Sequence, residues 1–501
     1  LKQKQRYRPP CLHGPPSVPL LAAMSAGHMH KSQAQRALLT VRAALSQAKD
    51  SLDDQEALLG HLEEAEGSLR RAETHLHRES RTRVKTSHSF GLEGLGAWKD
   101  YYTEEDRGCA QFSHDIDTTP TMRVGRRMSL NDTLQLALGK PAVNLLLQQA
   151  GKFDFDAISF VQIPEATHQS MEVLEAMLQP ISLVGLHLLT SKKDLVTSLF
   201  EPHQTGEMKA FQNRLTSFLG QLDKRYKHDA PYHGRAHAVD VMSTVDWFLS
   251  STYMASHTAP LDHFMAIIAA AIHDVGHEGR NNLFYTKTEH DYAITYNDRS
   301  VLENMHLALA FNIMLDKTED CNWFKLLPPH TQSYIRKGLV SMVLATDPSR
   351  HKRLETELSK LVDKTQEEAA EEPGKENKQQ KLDDKMLVLQ TVLHAADVSN
   401  PTKPRPLMLG WTERLLDEFW AQGDEERSLG LPVSPLCDRV EGRRTVPQGQ
   451  IGFITFVVQP YYTIIAELIP EAQEAAEQLA LNKAFWEEKA AEGPGSFEDW
   501  K

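Results

Sequence analysis

Apolar side chains recur at helix spacing along most of this chain and almost nowhere at strand spacing. The stretches 207–222, 235–250, 262–273, 300–316, 331–345, 384–398 and 407–421 carry them at i, i+3, i+4 and i+7, which lays one stripe of a helix against a core. A sheet needs period-two alternation, and that is scarce here. The spacing therefore predicts an all-α, compact, multi-helix domain over residues 145–490. One insert breaks the pattern. Residues 363–384 hold Glu367, Glu368, Glu371, Glu372, Pro373 and Gly374 among several Lys and Gln, and read as a flexible, solvated surface loop.

The N-terminal part reads differently. Pro9, Pro10, Pro15, Pro16 and Pro19 mark residues 1–30 as a disordered leader. Leu1 in place of Met reads as a fragment, or as translation running upstream of Met24. Over 31–80, Leu38, Leu45, Leu52 and Leu59 repeat every seven residues, with Val41, Ala48, Leu62, Leu69 and Leu76 at the matching second position. That is the seam of a coiled coil, and a homodimer through 31–80 is one reading. Gln55, Glu66 and Glu73 interrupt the seam, and Gly60 and Gly67 each weaken a helix by roughly 1 kcal/mol. A lone amphipathic helix is the other reading. Residues 81–144 read as a linker. Within it, Arg126-Arg127-Met128-Ser129-Leu130 resembles the site of a basophilic kinase, where a phosphate would gain two arginine partners. The bland alternative for Ser129 is a solvated turn.

Composition narrows the partners. The chain has 501 residues and a formal charge of −13. An acidic balance argues against nucleic-acid binding, which needs clustered Lys and Arg. Cys11, Cys109, Cys321 and Cys437 lie far apart with no CxxC pair, which suits a reducing, cytoplasmic setting better than a disulfide framework. No run of 18 apolar residues predicts a membrane span.

The chemistry lies in histidines with acidic neighbours. His233 and His237 are i and i+4, so a helix covering both puts them on one face. His273-Asp274 ends the apolar run from Met265 to Ile272, and burying such a pair is costly unless something satisfies both. A divalent cation would; a core hydrogen bond is the bland alternative. His277 follows one turn on, with Gly276 and Gly279 marking where helix gives way to loop. Asp397 ends another apolar helix, and Asp298 or Ser300 is placed to cap a helix carrying Glu303 and His306. Imidazoles and carboxylates together suit zinc at one site. A shared aspartate and water suit magnesium or manganese at a second. Two such cations are the equipment for hydrolysing a phosphate ester.

These strings resemble a known family. His273-Asp274-x-x-His277-x-x-x-x-Asn282 is the signature of class I 3′,5′-cyclic nucleotide phosphodiesterases. Tyr232-His233-x-x-x-His237, Tyr296-Asn297-Asp298, Val301-Leu302-Glu303-Asn304, Ala345-Thr346-Asp347, His394-x-x-Asp397-x-Ser399-Asn400-Pro401, Leu431-Pro432-x-Ser434-Pro435-x-Cys437-Asp438 and Gln450-Ile451-Gly452-Phe453 follow in family order. The resemblance implies an all-α catalytic domain of about sixteen helices that hydrolyses the 3′ phosphoester of a cyclic nucleotide and ends its signal. It implies His237, His273, Asp274 and Asp397 as ligands of the tighter metal, zinc. Asp274 would bridge to a second, magnesium or manganese. It implies His233 as the general acid, with a pKa near neutrality, and Glu303 near both His233 and a bridging hydroxide, orienting both. His277, Asn282, His306, Thr346 and Asp347 would hold ligands and metal waters in place. Asn400, Leu415, Gln450 and Phe453 would bind the base. Gly276, Glu278 and Met305 depart from the family pattern, which often has Asp, Pro and His there, and mark a divergent member. Asn400-Pro401 resembles the cAMP-preferring branches and the 431–438 stretch a dual-specificity branch, so cAMP is favoured and cGMP is not excluded. Two alternatives stay open: another His-Asp metal phosphohydrolase, or a catalytically dead scaffold that binds cyclic nucleotide.

Overall fold

A computed structural model describes residues 138–166, 179–227, 230–316, 320–370, 378–493, 495 and 497–500. The leader 1–30, the heptad seam 31–80, Ser129 and most of the 81–144 linker lie outside the described residues.

The described residues form helices and no strand. First come α1 (Pro141–Leu147) and α2 (Ala157–Ala166). Helix α1 begins inside the stretch read as linker, because Pro141 suits a first helical turn and Val143 and Leu147 bury in the core. Then α3 (Pro180–Leu186) runs on through a π-helical turn, His187–Lys192, to α4 (Thr205–Arg225). The centre holds α5 (Arg235–Leu249), α6 (Thr252–His257) and α7 (Pro260–Ile272). Two short helices, α8 (Asn282–Lys287) and α9 (Asp291–Tyr296), lead to α10 (Val301–Leu315) and α11 (Pro329–Leu344). Longer ones follow: α12 (His351–Ala370), α13 (Lys378–Asp397) and α14 (Arg405–Ser428). The domain closes with α15 (Arg439–Phe453), a second π-helical turn at Ile454–Val458, α16 (Gln459–Leu468), α17 (Gln473–Glu492) and α18 (Phe497–Trp500).

All seven stretches with helical spacing are helices. The insert at 363–384 is helical over 363–370 and 378–384, where a loop is expected, and 371–377 lie outside the described residues. Helix α12 runs to Ala370 and α13 starts at Lys378. Ala, Glu, Lys and Gln are good helix formers even when no face is apolar. A salt bridge of 2.6 Å from Lys364 to Asp384 ties the two extended helices together.

Helix α7 is the core. Pro260 opens it, the Asp262 carboxylate accepts the Ala259 N–H at 2.8 Å, and every residue from Phe264 to Ile272 is buried. A helix apolar on all sides must be surrounded, and α5 packs against it. Helix α5 also contacts α2, α3 and α13. The start of α5 and the ends of α7 and α13 thus converge, which places the site.

Thr445–Leu468 is long and apolar enough to cross a membrane by length and composition. Its Ile454, Val458, Tyr461, Tyr462, Ile465 and Leu468 bury in the domain while Phe456 is exposed, and one such helix is weak evidence of a membrane span.

Lys403, just past α13, is fully buried. Its ammonium lies 3.2 Å from the buried Asp240 carboxylate on α5, and donates to Thr244 Oγ1 at 2.7 Å and to the Phe153 carbonyl at 3.2 Å. A lysine so placed must keep all its partners. Lys403→Met strands Asp240 as a lone buried charge, so a loss of about 3–5 kcal/mol is expected, readable as a lower midpoint in urea.

Candidate active site

Four side chains from three helix ends meet at one point. His237 stands in the first turn of α5, His273 and Asp274 follow the end of α7, and Asp397 ends α13. His237 Nε2 is 3.0 Å from Asp397 Oδ1, 3.3 Å from His273 Nε2 and 3.4 Å from Asp274 Oδ2. His273 Nε2 is 3.2 Å from Asp274 Oδ2 and 3.5 Å from Asp397 Oδ1. Ligand bonds of about 2.1 Å put the corners of a tetrahedron about 3.4 Å apart. Five of the six separations, 3.0–3.5 Å, are close to that spacing, and all four ligand atoms lie within 4.8 Å of one another, so a cation fits among them. The His273 Nδ1–H donates to the Ala270 carbonyl at 2.8 Å, which leaves a lone pair on Nε2 facing inward. Burial disfavours charge on His237 and His273, yet the two carboxylates outweigh it and raise both pKa values. The same histidines hold Asp274 and Asp397 below the usual carboxylate range despite burial. The set demands positive charge.

His233 is not on the helix that carries His237. Helix α5 begins at Arg235 with Gly234 as its extended N-cap, so the i, i+4 spacing does not put both on one face. The two rings stand at 83° with centroids 5.6 Å apart. His233 Nδ1 instead bonds Glu418 of α14, whose other oxygen accepts the backbone N–H of Tyr232 at 3.1 Å and of His233 at 3.0 Å. Burial works against charge on His233, but Glu418 wins and lifts it to about 9, above the neutrality expected. Burial works against charge on Glu418 too, yet His233 holds it down at about 2. Cations bound at the neighbouring set would draw His233 back toward neutrality by repulsion.

The hydrogen-bond partner of His233 is therefore Glu418. Glu303 lies in the first turn of α10, where both its oxygens accept from Asn282 Nδ2 at 3.2 and 3.1 Å. Burial and the nearby Asp347 push it up to about 7. Glu418 went unnoticed in the sequence, although a signal exists. Trp411, Leu415, Glu418 and Gln422 share one register of α14, and Trp411, Glu418 and Gln422 are buried. A carboxylate in that register needs a partner.

His277 does not continue α7, because Gly276 turns the chain into the left-handed region at φ 80°. Its ring stacks on His233 with centroids 4.0 Å apart at 25°, and burial keeps it neutral, with a pKa of about 3. His233, His277 and Glu418 hold ligand atoms within 4.8 Å of one another. Stacked rings cannot both aim in-plane lone pairs at one ion, so this group suits proton chemistry rather than metal binding. His306 Nδ1–H donates to the Val275 carbonyl at 2.8 Å, and its Nε2 faces Asp274 Oδ1 at 3.7 Å. Thr346 gives its hydroxyl to the Val343 carbonyl at 2.8 Å. Asp347 accepts from Ser300 Oγ at 2.6 Å and from the Ser349 N–H at 2.8 Å. Ser300 therefore does not cap α10 with its side chain; both it and Asp298 adopt left-handed backbone instead.

The four residues expected to bind the base lie on elements flanking this cluster. Asn400 follows α13, and its Oδ1 accepts from the Tyr232 hydroxyl while its buried Nδ2 has no partner. Leu415 on α14 and Phe453 on α15 are half-buried against the core, and Gln450, one turn before Phe453, is half-buried as well.

Sequence comparison matches residues 232–479 to the 3′,5′-cyclic nucleotide phosphodiesterase family. This region belongs to that family. A probable 3′,5′-cyclic-AMP phosphodiesterase pde-4 of Caenorhabditis elegans is 38% identical over 285 residues, covering 56% of this chain and 41% of that one. Mouse 3′,5′-cyclic-AMP phosphodiesterase 4C is 35% identical over 306 residues, covering 60% and 43%. The chain thus spans less than half the length of these two relatives. The phosphodiesterase domain of Salpingoeca rosetta rhodopsin phosphodiesterase superimposes with a TM-score of 0.56 at 25% identity, covering 72% of this chain and 95% of that one. LmjPDEB1 in complex with IBMX gives 0.58 at 25% identity, with coverage of 72% and 98%. The phosphodiesterase motifs read from the sequence fall within the matched region, and the metal set fits the divalent ions the family implies.

Proposed function

We propose that this chain hydrolyses the 3′ phosphoester of 3′,5′-cyclic nucleotides to 5′-nucleoside monophosphates, cAMP ahead of cGMP. The tetrahedral spacing of His237, His273, Asp274 and Asp397 beside the Glu418-held His233 carries this reading. These four residues would hold the tighter cation, zinc, and Asp274 would also serve a second, magnesium or manganese. Bound divalent ions supply a water nucleophile at neutral pH and offset phosphate charge.

The chain's own groups do the rest. With Nδ1 taken by Glu418, His233 presents its Nε2–H to the departing 3′ oxygen as general acid. Asn282 fixes Glu303 beside the cluster. Phe453 and Leu415 offer apolar faces to a planar base, and Gln450 and Asn400 offer amides to its edge. A side-chain amide can present either end to a purine, so Gln450 alone sets no preference. The preference for cAMP rests on the names of the relatives and on Asn400-Pro401.

The test is hydrolysis of cAMP and cGMP by the purified protein with Mg²⁺, next to Asp397→Ala and a metal analysis. Formation of 5′-AMP that the variant abolishes supports the reading, and the ratio of the two rates sets the specificity. Bound metal with no turnover would redirect it to another phosphate ester. Neither metal nor turnover would favour a scaffold.

A further inference from the structure

The segment between Asp274 and Asn282 has little conformational restraint of its own. Gly276 and Gly279 both sit at positive φ, 80° and 69°, and the position after His277 is Glu278, where the family pattern often has a proline. Such a segment is held by contacts or not at all. Yet it must be held, because His277 stacks on His233 and Asn282 binds Glu303.

His306 holds the Val275 carbonyl and the Gly279 N–H donates to His277 Nδ1; one stripe of α14 contacts the rest. Glu418, Gln422, Glu425 and Glu426 follow at i, i+4, i+7 and i+8, on one face. Glu418 holds His233. Gln422 Oε1 accepts the Asn281 N–H at 2.9 Å. Arg280 donates from Nε at 2.8 Å and from Nη2 at 2.5 Å to Glu425 Oε2, while its Nη1 donates to the Gly279 carbonyl at 2.7 Å. On the other flank, Glu278 pairs with Lys227 at 2.7 Å, just before the turn that carries His233.

We propose that Arg280 and Glu278 are positioning residues whose ion pairs with Glu425 and Lys227 hold the 275–281 segment in register with His233. As stability devices, such partly exposed pairs contribute little. Their effect is geometric: displacing the segment by about 1 Å separates His277 from His233 and can cost on the order of a hundredfold in rate. The Arg280 pair matters more, because its guanidinium is also tied to the segment's own backbone.

The effect on turnover rests on the phosphodiesterase reading, so the test has a second readout. Hydrogen exchange would be followed over 275–284 in the full chain with Zn²⁺ and Mg²⁺, alongside steady-state hydrolysis of cAMP. Arg280→Gln is expected to speed exchange at Gly279 to Asn282 by roughly tenfold. It should lower kcat by roughly tenfold and leave KM within about twofold. Glu425→Gln should do the same, the double variant should add little, and the Arg280→Glu/Glu425→Arg swap should restore part of both. High salt should loosen the parent segment more than the variant's. Should Arg280→Gln fail to fold, Arg280→Lys and Glu425→Gln carry the same readouts. Unchanged exchange and kcat in these variants would overturn the proposal. If the parent hydrolyses neither nucleotide while Arg280→Gln still loosens the segment, the clamp stands and the proposed function falls.

Discussion

Asp397→Ala is expected to bind zinc more than about a hundredfold more weakly, since even the outer partners of metal ligands are worth 10–100-fold in affinity. Hydrolysis of cAMP should fall by at least about a thousandfold, because the cation supplies both the nucleophile and the charge compensation. The fold should survive. Asp397 ends α13 but does not hold it there: the Val398 N–H bonds the His394 carbonyl at 3.1 Å, and Leu389, Val392, Leu393, Ala395 and Ala396 bury against the core. Deletion of the carboxylate leaves His237 and His273 facing Asp274 alone, at 3.4 and 3.2 Å. Three donors remain, so excess zinc should restore part of the binding. Equilibrium dialysis against zinc and a cAMP assay on the same samples check both. An unchanged zinc affinity would place the cation elsewhere.

That His273, Asp274 and Asp397 share a cation-ready cluster is legible because a His-Asp pair ending an apolar helix has few inexpensive uses and Asp397 repeats the pattern, while His237 joins them only through the family resemblance. All-α architecture was legible for the same reason, since spacing reports which face is buried. Spacing failed where the backbone leaves the helix. His233 and His237 look like a helical pair, yet Gly234 is the N-cap of α5, and a ring one residue outside the helix points elsewhere. Gly276 breaks the expected turn between His273 and His277 in the same way, and the break is what brings His277 onto His233. The insert at 363–384 departs in the opposite direction: its charge reads as a solvated loop, yet residues 363–370 and 378–384 are helical. Glu418 lay hidden in a long helix, distant in sequence from the turn it serves. Only the packing of α14 against that turn makes it the partner of the acid.

Glu418→Gln should move the pH dependence of turnover and leave the fold in place. Glutamine retains an oxygen for the N–H groups of Tyr232 and His233, which lie 3.1 and 3.0 Å from the present carboxylate. It removes the largest of the charges that lift His233 against burial, so the pKa of the imidazole falls. A general acid is active below its pKa, so the alkaline limb of kcat should shift to lower pH. General acid catalysis is worth about 10²–10⁴ in rate. The loss should therefore be largest at alkaline pH and shrink as the pH falls toward 6. Stability follows the same pair with the opposite limits on each side. The raised pKa of His233 contributes fully below 6.5 and is lost as pH rises through about 9, while the depressed pKa of Glu418 contributes fully above 4.5 and is lost as pH falls through about 2. The pair thus stabilises most between pH 4.5 and 6.5, and the variant should melt at lower temperature there than the parent, with the gap closing toward either limit. A kcat–pH profile shifted downward while KM holds would identify Glu418 as the group that keeps His233 protonated. A uniform loss at every pH would mean that it only holds the turn.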